Sequence, residues 1–160
     1  MKRKAVILGI VLLAVAVAGV ILVRAGAGVF GKPLRFELIA SGQCRGSGLK
    51  GSGKETRAIV RNDREWKEWW NRYAGESNPP EVDFTQKMLI CLTYVCTDTS
   101  VNFEVDRVVQ TFDKALKIRV VYSRRGEYGM EVIFNNYQVY SVERVEAPVV
   151  WIIEDLTGLN

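Results

Sequence analysis

The sequence predicts an α+β fold, mainly antiparallel β, in which a sandwich or curled sheet carries one covering helix and follows an N-terminal transmembrane helix. Three observations predict it. About six to eight short stretches place apolar residues at every second position, one stretch repeats aromatic residues every three or four positions, and one long run near the N-terminus has no charge. Successive β stretches separated by short turns favour hairpins, and hence antiparallel pairing.

The uncharged run covers nineteen residues, 5–23, between the basic residues 2–4 and Arg24. At about 1.5 Å per residue, a helix of this length reaches about 28 Å, which is close to the hydrocarbon thickness of a bilayer. The sequence therefore predicts that residues 1–24 form a transmembrane anchor and that the chain contacts the membrane through residues 5–23.

A cleaved signal peptide is the main alternative, because residues 25–27 (AGA) resemble a cleavage site. Signal peptides usually have a shorter apolar stretch of about 7–15 residues, and Arg24 separates this run from the site. We therefore favour an uncleaved anchor, with a buried soluble helix as a third reading. The basic N-terminus should stay cytoplasmic, which places the domain that follows outside the cytoplasm.

A Gly/Ala linker, residues 25–33, leads into a predicted β-rich extracytoplasmic domain, residues 34–160. The whole chain has a net charge of +4, but five of its 22 basic residues belong to the anchor and its flank. The other 17 basic residues nearly balance the 18 acidic residues, so the domain is close to neutral. A nucleic-acid-binding domain should present a basic face. We therefore expect no nucleic-acid partner.

Catalytic and metal chemistry have little support in the composition. The chain has no histidine, which excludes Ser–His and Cys–His pairs, and a Ser–Lys dyad stays open without a supporting motif. The carboxylate pairs Glu81/Asp83 and Glu104/Asp106 should lie on solvent faces of strand-like segments, so we interpret them as surface rather than as an acid and a base. Its three cysteines, Cys44, Cys91 and Cys96, form no CxxC pair. Cys91 and Cys96 should point to opposite faces of one strand, so a disulfide would need Cys44, unless all three are buried thiols. We predict a protein that is not an enzyme and that holds no cofactor or metal.

The first predicted strand carries Leu34, Phe36 and Leu38 in alternation with charged residues. A glycine-rich stretch, residues 41–54, then predicts a surface loop, and residues 57–61 predict a second strand.

The glycine-rich stretch also satisfies two phosphate-binding patterns. Residues 46–51 fit GxGxxG and residues 48–54 fit GxxxxGK. However, Glu55 stands where a Ser or Thr should bind magnesium, and a strand rather than a helix follows. We therefore interpret the stretch as a loop without a nucleotide.

A helix is predicted over residues 62–74. Asn62 is the expected N-cap, with Glu65 three residues later, and Gly75 ends the helix. One face of this helix is aromatic, with Trp66, Trp69, Trp70 and Tyr73. That face either covers an open core or presents a patch to a partner.

The rest of the chain predicts strands. An apolar run at 88–95 is typical of a central strand, and the segments 101–109 and 116–122 form a predicted hairpin about the turn Asp113-Lys114. Residues 132–142 predict a strand with an internal turn at Asn135-Asn136, and residues 149–153 predict a last strand after Pro148.

Three segments together resemble a known family. Residues 64–73 (REWKEWWNRY), residues 79–95 (PPEVDFTQKMLICLTYV) and the hairpin at 101–123 are similar to the PrcB-type C-terminal domain of protease-complex accessory subunits. The family's Ser/Gly-rich loop would be residues 42–53 here. Its other motifs would be Glu65-Trp66, Pro80-Glu81-Val82-Asp83-Phe84 and the late Pro148, so the resemblance covers residues 36–154.

This chain departs from the family at residues 97–100 (TDTS), where a Pro-Thr-Gly-Gly-Tyr-like turn often stands. The resemblance implies a non-enzymatic extracytoplasmic module that binds or stabilises a protease or another exported protein. The alternative is a ligand-binding domain for a peptide or an envelope polymer, in a cleft beside the glycine-rich loop. Candidate partner-binding residues are whichever of Trp69 and Trp70 lies off the core, together with Tyr94, Arg124, Arg125 and Tyr128.

Overall fold

The structure, a computed structural model, describes residues 31–44, 55–75, 78–98, 101–124 and 131–157. In chain order its elements are β1 (Gly31–Pro33), β2 (Phe36–Gln43), β3 (Glu55–Val60), α1 (Asp63–Tyr73), β4 (Lys87–Asp98), β5 (Val101–Thr111), β6 (Leu116–Arg124), β7 (Glu131–Glu143) and β8 (Val149–Asp155). The predicted anchor, residues 1–24, lies outside the described residues. No helix in the described ranges is long and apolar enough to cross a membrane.

The fold is mostly β, with two four-stranded sheets in a sandwich-like arrangement and one helix within the described residues. Sheet A has the strand order β1-β5-β6-β8, and sheet B has the order β2-β7-β4-β3. The prediction of a mainly antiparallel β fold with one covering helix is therefore confirmed. One pair, β6 with β8, is parallel. Since the short connection 144–148 leaves sheet B and enters sheet A beside Leu116, the last strand has to run in the direction of β6.

The inter-sheet core lies between the facing sides of sheets A and B. Because side chains alternate along a strand, every second residue of β4 and β6 enters this core. Its fully buried members include Met88, Ile90, Val108, Leu116, Ile118 and Val120. The predicted hairpin is confirmed as β5 and β6, and Lys114 in its turn has a φ of 61°.

Helix α1 covers the other face of sheet B and encloses the helix-side core, whose buried members include Trp66, Trp69, Trp70, Leu89 and Val139. The Asn62 side chain accepts a hydrogen bond from the Glu65 backbone N–H at 2.9 Å, which confirms the predicted cap. After the last turn, Gly75 has a φ of 112°, a conformation that favours glycine and ends the helix. The aromatic face is thus directed at sheet B.

Two local predictions are wrong. The expected turn at Asn135-Asn136 does not form, because β7 runs without a break and pairs along both edges; Asn136 stands between Gln43 of β2 and Tyr94 of β4. Residues 41–43 belong to β2 rather than to the glycine-rich loop. The rest of that loop, residues 45–54, lies outside the described residues, as do both phosphate-binding patterns.

The predicted alternation of Leu34, Phe36 and Leu38 is interrupted. Leu34 is buried and Phe36 packs on the inter-sheet core, but Leu38 is 48 % exposed. A register shift between Leu38 and Ala40 adds one residue to β2, so that Ile39 and Ala40 both pack against the helix-side core.

Cys44 and Cys91 are free thiols that belong to the helix-side core. Burial raises the pKa of the Cys44 thiol to about 12, and it raises the pKa of Cys91 as well. Both therefore act as small apolar side chains, the reading that was predicted for all three cysteines. The side chain of Cys96 lies outside the described part of the chain.

Candidate functional site

A groove of about 360 Å³ runs between strand β3 and helix α1, and the predicted site residue Trp69 lies along it. Strand β3 is an edge of sheet B: it pairs with β4 on one side, and no other described strand pairs with its outer side. In an antiparallel strand, alternate residues direct their backbone N–H and C=O groups to one side. The outer side of β3 therefore offers backbone donors and acceptors next to the groove.

The floor of the groove owes its depth to small side chains. Ala58 and Val60 face the helix-side core, and Thr56 lies on the same face of β3. The hydroxyls of Thr56 and Thr93 are 2.6 Å apart and satisfy each other. Ala58 carries a single methyl group, so space is left between the strand and the helix.

The wall of the groove is aromatic. The Trp69 ring lies 5.1 Å from the Tyr73 ring, and it also contacts Trp66 and Tyr137. The Trp69 Nε1–H is buried and has no hydrogen-bond acceptor among the described residues. Buried indole donors usually have a partner, so this donor is an exception.

The charges along the helix differ in how they are paired. Glu65 accepts a hydrogen bond from the Arg61 backbone N–H at 3.0 Å, and Glu68 forms an ion pair with Arg64 at 3.9 Å. Arg72, in the last turn, is exposed and forms no ion pair with any residue in the described part of the chain. The positive charge of Arg72 is thus the one that stays available to a ligand at this end of the groove.

A second cavity, of about 470 Å³, lies over β2, β7 and β4. Its lining includes buried Ser141 and exposed Lys87, between the acidic residues Glu37 and Glu143. The structure gives no hydrogen bond between Ser141 and Lys87, and a lysine that acts as a base is normally desolvated among apolar groups. This pair therefore lacks the geometry of the Ser–Lys dyad that the sequence left open.

The predicted partner-binding residues that the structure describes do not come together. Trp69 and Trp70 are 7 % and 5 % exposed, so both lie on the core side, whereas the prediction needed one of them to lie off it. Trp70 packs edge-on against Tyr137 and Trp66 beneath the helix.

Tyr94 projects from the opposite face of sheet B, where its ring lies 4.9 Å from Tyr122 and 5.6 Å from Phe103. It is therefore part of the aromatic packing between the sheets. Arg124 is exposed at the end of β6. Arg125 and Tyr128 lie outside the described residues.

Sequence reasoning missed Thr56, Ala58 and Arg72. No local pattern distinguishes them, because an edge strand is defined only by which strands pair.

Asp83, in one of the motifs that carry the family resemblance, has a structural role. The Asp83 carboxylate accepts hydrogen bonds from the Thr85 backbone N–H at 3.0 Å and from the Thr85 hydroxyl at 2.5 Å. These bonds lower the pKa of Asp83 and hold the turn that leads into β4.

No family model, no curated protein and no solved structure matches the chain. The resemblance to PrcB-type domains therefore stays a prediction. Within the described ranges, no three Cys, Asp or Glu side chains gather closely enough to hold a metal ion.

Proposed function

We propose that this protein is a membrane-anchored, extracytoplasmic, non-enzymatic binding module that takes an extended peptide segment of an exported protein into the groove between β3 and α1. A protease is one such exported protein, as the family resemblance implies. The proposal joins the predicted accessory role to the alternative of a peptide-binding domain.

One observation carries the proposal: the outer edge of β3 has no strand partner among the described residues and stands beside a groove of about 360 Å³. An extended peptide can add to such an edge as a further strand, since its own N–H and C=O groups pair with those of β3. Side chains on alternate positions of that peptide would enter the space above Ala58. Main-chain bonds would supply affinity, and the groove would supply selectivity.

The charged side chains along the groove favour peptides that carry an acidic residue. Arg72 is unpaired among the described residues at the helix C-terminal end, while Glu65 and Glu68 already have partners. A peptide with an acidic side chain near Arg72 would gain a charge-assisted hydrogen bond there.

A selection from random short peptides displayed on phage, against the full chain in nanodiscs, tests the groove. We expect β-forming peptides to be enriched, and we expect Ala58→Trp, which fills the floor, to abolish their binding. Leu38→Trp is the matched control, because Leu38 is exposed on the opposite edge of sheet B. Circular dichroism checks that both variants are folded.

Two further experiments distinguish binding in the groove from binding at other sites. Exposed Arg72→Glu should weaken binding of the selected acidic peptides without affecting folding, and methylation of alternate peptide nitrogens should remove binding. If the selected peptides bind the Ala58→Trp variant as well as the original chain, or if only envelope polymer fragments bind, the peptide groove is refuted.

The proposed membrane topology has its own test. The uncharged residues 5–23 and the basic residues 2–4 support a domain outside the cytoplasm. A protease added to intact cells should then digest the C-terminal domain. A domain that is cut only after lysis would contradict this orientation.

A second candidate function is the binding of a polar ligand, such as an envelope polymer fragment, in the cavity of about 470 Å³. Its charged lining, with Arg35, Glu37, Lys87 and Glu143, favours a ligand that carries both donors and acceptors. Lys87→Glu should abolish such binding while peptide binding to the β3 groove persists.

A further inference from the structure

Strand β8 leaves a regular row of backbone groups at the edge of sheet A. The Leu116 N–H donates to the Pro148 carbonyl, and the Leu156 N–H donates to the Tyr122 carbonyl, both at 2.8 Å. In a parallel ladder the residues that bond to the neighbour alternate with residues whose N–H and C=O point away. The even-numbered residues therefore bond to β6. The outward-facing residues are Val149, Trp151, Ile153 and Asp155.

Apart from the acidic residues Glu154 and Asp155 at its end, this edge lacks the features that usually protect an edge strand. It carries no lysine, no proline and no bulge within Val149–Asp155, and no other described strand pairs with it. Val150, Ile153 and Leu156 are 43 %, 41 % and 58 % exposed. The opposite edge, β1, has only three residues and ends in Pro33, so it offers little to a partner.

We propose that β8 pairs with β8 of a second copy of this chain, antiparallel, about a two-fold axis that passes through sheet A at Ile152. Trp151 then lies opposite the partner's Ile153, and Val149 lies opposite the partner's Asp155. All the outward-facing residues find backbone partners in this register, and each side chain stays on its own face of the sheet. The two sheets become one continuous sheet.

The charges of the strand fit this arrangement and favour a second copy over an unrelated strand. The acidic end of β8, Glu154-Asp155, meets the apolar start of the partner strand, so no two like charges face each other. Lys117 stands beside Val150 on β6, and Val150 lies opposite the partner's Glu154. The Glu154 carboxylate already accepts hydrogen bonds from Arg119 of its own chain, and in this register the Lys117 ammonium of the other copy lies within reach of the same carboxylate across the joint.

Pairing through β8 gives a dimer and no larger assembly. A two-fold axis uses the same edge of each protomer, so both β8 edges are occupied and none is left for the β8 of a third copy. Because the Arg57 guanidinium lies over the Trp151 ring at 5.8 Å, β3 stands above β8, and the dimer brings the two β3 edges together. A second copy and a peptide would thus compete for this side of the domain. This competition, unlike the dimer itself, rests on the proposed function.

Disulfide trapping in membranes that contain the full chain tests the register. At the axis, Ile152 faces its own counterpart as a non-hydrogen-bonded pair, with Cα atoms about 4.5 Å apart, which a disulfide can bridge. We expect Ile152→Cys to give a dimer band under oxidation. Val150→Cys is the matched control: it lies on the same face of the same strand, but its counterpart stands about 13 Å away along the strand. Equal bands for the two variants, or none for Ile152→Cys, would refute the register.

A second pair of variants, made in the Ile152→Cys background, tests the backbone pairing. Ile153→Pro removes an outward-facing N–H and leaves the bonds from β8 to β6 in place, so we expect the dimer band to be lost. Ile153→Thr keeps that N–H and should keep the band. In case the proline variant unfolds, Lys117→Glu places like charges across the joint and should weaken the band at low salt but not at high salt. A band that neither change reduces would overturn the proposal.

Discussion

At the scale of single residues, the polar side chains that enter the interior tie the two sheets together. The Tyr122 hydroxyl on β6 donates to the Glu55 carboxylate on β3 at 2.5 Å, and Arg57 contacts the same carboxylate at 2.5 Å. Both sheets thus contribute to one network around a partly buried carboxylate. This network fixes the edge strand β3 above sheet A, and with it one side of the proposed peptide groove.

Tyr122→Phe should lower the free energy of unfolding by about 1–3 kcal/mol, because the Glu55 carboxylate loses a donor while it stays partly buried. Urea unfolding followed by tryptophan fluorescence measures the change. Tyr73→Phe is the matched control, since it removes a hydroxyl that has no hydrogen-bond partner among the described residues, and we expect it to change stability by less than about 0.5 kcal/mol. Equal effects of the two changes would contradict the role of the network.

The buried thiols predict how stability depends on pH. The pKa of Cys44 is raised from 9.0 to about 12 in the folded chain, so the unfolded chain loses this proton first as the pH rises. The contribution of the buried Cys44 thiol to the free energy of unfolding is fully present below about pH 9 and is lost progressively above it. Urea unfolding from about pH 8 to about pH 11 should therefore give a flatter decline for Cys44→Ala than for the original chain. Identical slopes would show that Cys44 ionises as freely when the chain is folded.

At the scale of elements, α1 was predictable because its signals are local. Asn62 caps it, aromatic residues recur along one face and Gly75 ends it. The β5–β6 hairpin was predictable for the same reason. The aromatic face left two readings open, and its burial against sheet B favours the covering role.

Asn62→Ala should cost about 1 kcal/mol of stability, because the Glu65 N–H loses its acceptor at the helix N-terminus. Asn62→Ser keeps an acceptor and should cost much less. Thermal unfolding followed by circular dichroism compares the two. A serine variant as unstable as the alanine variant would show that the side chain contributes by something other than the cap.

The Asn135-Asn136 turn shows where local signals fail. Asparagine is typical of turns, but here these residues lie within a strand that has a neighbour on each side. Pairing along two edges outweighs the local preference, and a sequence alone does not reveal how many neighbours a strand has.

At the scale of the whole molecule, sheet B is shared by the two cores. Leu89 and Ile90 are adjacent on β4 and fully buried, but Leu89 enters the helix-side core and Ile90 enters the inter-sheet core. The sheet therefore couples the helix to the sandwich, and we expect the described domain to unfold in a single step.

Leu89→Ala and Ile90→Ala should each cost about 2–5 kcal/mol, and both should shift the same transition, because each leaves a cavity against the shared sheet. Tryptophan fluorescence reports on the helix-side core and far-ultraviolet circular dichroism reports on the sheets. If Leu89→Ala moves the fluorescence transition and leaves the other unchanged, the two cores are independent.

The candidate site was only partly predictable. The sequence predicted Trp69 as a site residue, and Trp69 does line the groove. The prediction assumed that the Trp69 side chain is exposed to a partner, whereas it is buried. Thr56, Ala58 and Arg72 gave no signal, because their position beside a free edge depends on which strands pair. Tyr94, proposed for the same surface, lies on the opposite face of sheet B and packs between the sheets.

By itself the sequence determined the β-rich class, the capped helix, the hairpin and most strand positions, since periodicity, caps and turns act over a few residues. Only the tertiary structure decided the strand order, the parallel β6–β8 pair and the unpaired edges of β3 and β8 among the described residues. The physical reason is that pairing depends on contacts between segments far apart in the chain, whereas alternation defines the faces of a strand and not its neighbours.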